Sequence, residues 1–126
     1  MRYMGIDYGG KRVGIAISDE RGKIAFPHSV IRNDKDLTAE IARIAQEKKV
    51  EMIVLGDTRT ESGIANPITS EAEKFGAALQ EHLKMPIKTI FEAWSSIAVS
   101  ENSPKGTHDD SQAAAFILQR YLDMNS

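Results

Sequence analysis

The chain has 126 residues, which suits one domain and leaves little room for a second. Apolar residues at 41% can build a real core, and charged residues at 27% are ordinary for a water-facing protein. The absence of cysteine excludes disulfides, thiolate catalysis and thiolate metal sites. A net charge of −2 counts against nonspecific nucleic-acid binding through many phosphate contacts. It does not exclude a nuclease, because cations held at a carboxylate site offset its charge.

The opening MRYMGIDYGG lacks the apolar stretch of a signal peptide, and no run approaches the roughly 20 apolar residues that span a bilayer. The expectation is a cytoplasmic protein with no membrane association.

Tyr3 to Tyr8 reads as a strand entering a tight turn at Gly9-Gly10. Val13 to Ser18 reads as its hairpin partner. Asp19-Glu20 and Gly22 mark a second turn before a third strand, Ile24 to Ile31. Pro27 interrupts that strand and fits an edge or a bulge. Asp34 or Asp36 can cap a helix whose apolar stripe is Leu37, Ile41, Ile44 and Ala45. Met52 to Leu55 is a continuous apolar run ending at Gly56, as in a strand buried on both faces.

Asp57 to Pro67 reads as a loop. A helix follows over about Ile68 to Leu83, with Ala72, Phe75, Ala78 or Leu79, and Leu83 inward, and Met85-Pro86 stops it. Ile87 to Glu92 is a further strand. Trp94 to Glu101 reads as a short helix and Asn102 to Thr107 as a loop. Asp109 or Asp110 opens a final helix to about Leu122. A meander followed by βαβ units implies an α/β fold: a five-stranded mixed sheet with helices on its faces.

Three acids stand where chemistry is plausible. Asp7 lies among apolar strand residues, where a carboxylate is costly unless paired or metal-bound; a turn residue before Gly9-Gly10 is the plainer alternative. Glu92 ends a strand, where α/β sheets place ligands, although a solvated acid before a helix fits as well. Asp110 shares a helix face with Ala114, Ile117, Leu118 and Tyr121. Asp109 shares its face with Ala113, Phe116 and Arg120 and is the natural helix cap. Carboxylates from separate elements suit Mg²⁺ or Mn²⁺, and two such ions about 4 Å apart can activate a water and stabilise a leaving oxygen. Lys11, Arg12, Lys105 and His108 are candidates for phosphate contact, against ordinary solvated charge. Asp57, Thr58 and Arg59 follow a strand end and point to the same edge.

The run Gly5-Ile-Asp-Tyr-Gly-Gly-Lys-Arg-Val-Gly-Ile-Ala-Ile-Ser-Asp19 closely resembles the opening motif of the YqgF family. These are Holliday-junction-resolvase-like proteins, also provisionally called pre-16S rRNA nucleases. Asp110-Ser-Gln-Ala-Ala-Ala-Phe-Ile-Leu-Gln-Arg-Tyr-Leu-Asp123 resembles the closing motif. The resemblance implies an RNase H-like fold, two divalent ions (Mg²⁺ or Mn²⁺) and cleavage of structured nucleic acid in maturing the 5′ end of small-subunit rRNA.

The family's acidic triad maps onto Asp7, Glu92 and Asp110, and its basic pair onto Lys11 and Arg12. The middle departs from the pattern. Gly56-Asp-Thr-Arg stands for Gly-Leu-Pro, and Phe91-Glu-Ala-Trp-Ser-Ser96 for Asp-Glu-Arg-Leu-Thr-Thr, so an arginine fork suited to phosphate is missing.

Two other readings compete: a resolvase of branched DNA, which a homodimer rather than a monomer would favour, and a noncatalytic nucleic-acid-binding module. An actin-like ATPase half is discounted, since that machinery needs two halves around a nucleotide.

Overall fold

The computed structural model describes residues 1–57, 67–91 and 110–124. Among these residues five strands form one sheet: β1 (Tyr3–Tyr8), β2 (Arg12–Ser18), β3 (Ala25–Arg32), β4 (Met52–Asp57) and β5 (Ile87–Phe91), in the order β3-β2-β1-β4-β5. β1, β2 and β3 make the antiparallel meander, while β4 pairs parallel with both β1 and β5. The expected mixed sheet is therefore present. β3 is an edge strand, and its register against β2 shifts between Ile15 and Ala16, whose partners are Ser29 and Pro27. Pro27 thus sits at both an edge and an irregularity, where a missing N–H costs least.

Among the described residues three helices cover the sheet: α1 (Leu37–Glu47), α2 (Pro67–Leu83) and α3 (Asp110–Met124). The α1 stripe Leu37, Ile41, Ile44 and Ala45 is buried as the periodicity requires. Asp36 occupies the N-cap position without a side-chain cap bond. Asp34 acts locally instead, its Oδ1 accepting from the Asp36 N–H at 2.9 Å. On α2, Ala72 and Leu79 are buried, Phe75 and Leu83 half-buried and Ala78 exposed. The residue that ends this helix is Lys84, at φ 54°, before the proline is reached.

Two apolar layers result. Met4, Ile6, Val13, Ile15, Ile17, Ile53 and Leu55 pack with α1 and Leu79 of α2. Ala16, Val54 and Ile90 pack with Ala114, Ile117, Leu118 and Leu122 of α3. Helices therefore lie on both faces of the sheet, as the RNase H-like expectation requires. The short helix read at Trp94 to Glu101 and the loops read at Asn102 to Thr107 and over 58–66 lie outside the described residues.

Candidate active site at the sheet edge

Strand alternation sends Met4, Ile6 and Tyr8 into the α1–α2 layer. Tyr3, Gly5 and Asp7 consequently face α3. An ideal Cβ on Gly5 would lie 2.7 Å from Leu118 Cβ and 2.8 Å from the Ala114 carbonyl oxygen. Only glycine lets α3 descend this far onto β1.

The direction of α3 follows from its other end. The Tyr121 ring lies 6.0 Å from that of Tyr3, and its hydroxyl is 3.6 Å from Met52 Sδ. Tyr3 and Met52 are paired at the starts of β1 and β4. The helix therefore runs against β1, and its first residue, Asp110, comes at the edge where β1 ends. From Gly5 to Asp7 the strand advances about 6.6 Å. From Ala114 back to Asp110 the helix retreats about 6 Å. The backbone of Asp110 and the strand position of Asp7 thus come to the same end of the sheet.

Asp7 is half-buried and engaged within the chain. The face assigned to Asp110 agrees with packing, because Ala114, Ile117 and Leu118 are all fully buried. Residues on the Asp109 face fare differently: Ala113 is half-buried, while Phe116 and Arg120 are exposed.

The other parallel strands end at this edge too. Gly56 pairs with Ile90 and Asp57 with Phe91, so β4 and β5 stop together beside β1. Glu92 follows Phe91 directly in the sequence, and it lies outside the described residues, as do Thr58, Arg59, Lys105, His108 and Asp109. Among the described residues no group of three histidines or acids could hold a metal. Of the expected triad, Asp7 alone has its side chain among the described ones. Its oxygen donor and α3's acidic first residue fit a hard divalent cation and no softer metal.

Lys11 and Arg12 are exposed on the β1–β2 turn at this same edge. The turn is tight at Gly9, where a Cβ would lie 2.5 Å from the Arg12 carbonyl oxygen. Asn33 ties it to the end of β3. Its side-chain amide donates to the Gly9 carbonyl at 2.8 Å, and its backbone N–H donates to the Lys11 carbonyl at 2.9 Å. The sequence reading missed Asn33, which resembles any polar residue after a strand. Asp19 lies in the turn after β2, where the Ile24 and Lys23 N–H groups hold its carboxyl below the usual range. It is a turn residue, as expected.

Comparisons with known proteins identify the family and the fold. The RuvX family model, described as Holliday junction resolvase, matches residues 1–124. A protein of Syntrophomonas wolfei, provisionally named pre-16S rRNA nuclease, is 39% identical over 100% of this chain and 96% of its own. One of Maridesulfovibrio salexigens with the same name is 36% identical, covering 97% of this chain and 98% of its own. Among solved structures, Thermus thermophilus RuvC in complex with Holliday junction substrate superposes with a TM-score of 0.64 at 13% identity, over 99% of this chain and 96% of that one. The fold is that of the RuvC-like, RNase H-like proteins.

Proposed function

The chain belongs to the RuvX family of Holliday junction resolvases, nucleases that hydrolyse phosphodiester bonds, and on that premise we propose a divalent-metal-dependent endonuclease acting on precursor 16S rRNA. Asp7, Glu92 and Asp110 carry the reaction. Lys11, Arg12, Lys105 and His108 contact the substrate. The whole chain works as one nuclease domain in the cytoplasm; no helix among the described residues is long and apolar enough to cross a membrane.

One observation supports the site most strongly. Asp7 faces α3 at the end of β1, and α3 begins with Asp110 at that same edge, where β5 also ends one residue before Glu92. The three carboxylates would hold Mg²⁺ or Mn²⁺, two ions in the fullest form, and the bound metal would supply an activated water and charge stabilisation at the leaving 3′ oxygen. The chain's own part is to fix the positions of Asp7 and Asp110 on a strand and a helix, which are stiffer than loops. Lys11 and Arg12 offset phosphate charge of the substrate backbone near the carboxylates, with the turn held by Gly9 and Asn33.

The test is metal-dependent cleavage of a 16S rRNA precursor, run beside a four-way DNA junction. Asp7→Asn should lower the rate on the cognate substrate by about a thousandfold or more, with the thermal midpoint little changed. Undiminished cleavage would contradict the site. Cleavage of the junction alone would favour the DNA resolvase reading, which the RuvC complex makes the natural second choice.

A further inference from the structure

Arg12 and Arg32 are direct cross-strand partners on β2 and β3. The Asn33 N–H donates to the Lys11 carbonyl, which makes Arg12–Arg32 a pair without mutual hydrogen bonds. In such pairs the Cα atoms are only about 4.5 Å apart and the side chains closest, and like charges placed there destabilise the sheet. Both side chains are exposed. Arg12 is engaged within the chain. Arg32 has no ion pair among the described residues.

The face of the sheet decides what the pair can serve. Asp7 pairs with Gly14, and Gly14 with Val30, so these three share the α3 face in one row. Arg12 and Arg32 form the next row on the same face, toward the edge where β1 ends. Gly14 puts no side chain between Asp7 and Val30, and Val30 is 40% exposed. From Asp7, Arg12 is about 8 Å away and Arg32 about 12 Å, one and two strands over and two residues along. An arginine side chain spans much of that distance, so a strand cut at Asp7 can run outward over Arg12 to Arg32.

We propose that Arg32 is a substrate-binding residue that, paired with Arg12, grips a backbone phosphate of the nucleic-acid strand one or two nucleotides from the scissile bond. The proposal rests on the nuclease reading and extends it to a direction: substrate leaves the carboxylates across β2 and β3, away from β4. A phosphate between two guanidiniums accepts charge-assisted hydrogen bonds from both, which a planar fork is shaped to donate.

The test is binding of a 16S rRNA precursor fragment and of a four-way DNA junction to the full chain, over a series of salt concentrations. Arg32→Gln is compared with wild type, with Arg32→Lys, and with Arg43→Gln as a control of equal charge. Arg43 lies on α1, paired with Glu40 and Glu47. Arg32→Gln should weaken binding of the preferred nucleic acid about tenfold, as loss of one hydrogen bond to a charged group implies. It should reduce the salt slope by about 1. Its thermal midpoint should stay level or rise, which loss of a structural group would not produce. Arg32→Lys should keep the slope, and Arg43→Gln should leave binding unchanged. Wild-type binding retained in Arg32→Gln, or an equal loss in Arg43→Gln, overturns this inference alone. Failure of the wild-type chain to bind either nucleic acid overturns the nuclease reading and this inference with it.

Discussion

The two faces of the sheet are built from opposite materials. Toward α1 and α2, β1 and β2 present Met4, Ile6, Val13, Ile15 and Ile17, large side chains that fill a thick layer. Toward α3 the same strands present Gly5, Asp7, Arg12, Gly14 and Ala16, which hold a helix close and leave polar groups at the rim. The faces differ by one residue of register, since neighbours on a strand point opposite ways. One face supplies cohesion. The other trades side-chain volume for close approach, and that approach is what carries an acidic helix start to the end of β1.

The contrast predicts opposite responses at adjacent positions. Ile6, fully buried, should tolerate reduction poorly: Ile6→Ala should cost about 2–5 kcal/mol in denaturant melts, because it opens a cavity in the thick layer. A loss under about 1 kcal/mol would mean that this layer is not the main source of stability. Gly5 should tolerate enlargement poorly. Gly5→Ala should cost about 1–3 kcal/mol, because the new methyl meets the Ala114 carbonyl and Leu118 Cβ and α3 must shift. It should also slow cleavage, since Asp110 rides on that helix, whereas Ile6→Ala should spare cleavage by the folded fraction. Equal effects of the two substitutions on folded-state activity would erase the distinction between the faces.

The smallest effect lies far from both layers. Backbone N–H bonds from Ile24 and Lys23 hold the Asp19 carboxyl below the usual carboxylate range. A carboxylate whose folded pKa is depressed contributes stability above its unfolded pKa and loses it as pH falls through the folded value. The wild-type advantage over Asp19→Ala should therefore be full above about pH 5 and fade as acidification passes below the usual carboxylate range. Melting temperatures of both proteins across that range check the sign, and an advantage that grows in acid would refute it.

Much of the architecture was legible because it depends on local period. Short strand-like runs on either side of the Gly9-Gly10 turn marked β1 and β2, the stripe from Leu37 to Ala45 marked α1, and the offsets from Asp110 to Leu118 picked the helix face that the structure buries. What depends on pairing between distant segments was not legible. Nothing in Val30 to Arg32 reveals that Arg32 stands opposite Arg12, because register is settled by the turn and the β3 irregularity near Pro27. Nothing local to Gly5 announces a close approach, and its purpose emerges only with α3 above it. Lys84 stops α2 in a left-handed conformation that composition does not announce for lysine. Of the candidate site, Asp7, Lys11 and Arg12 stand at one edge with the start of α3, while Glu92, Lys105 and His108 lie outside the described residues.

The most direct measurement is an anomalous-difference map from crystals soaked in Mn²⁺. Manganese should appear at the end of β1, with oxygens of Asp7, Glu92 and Asp110 as ligands at about 2.0–2.3 Å. Manganese bound without Asp7, or the three carboxylates more than about 10 Å apart and unable to share ions, would contradict it.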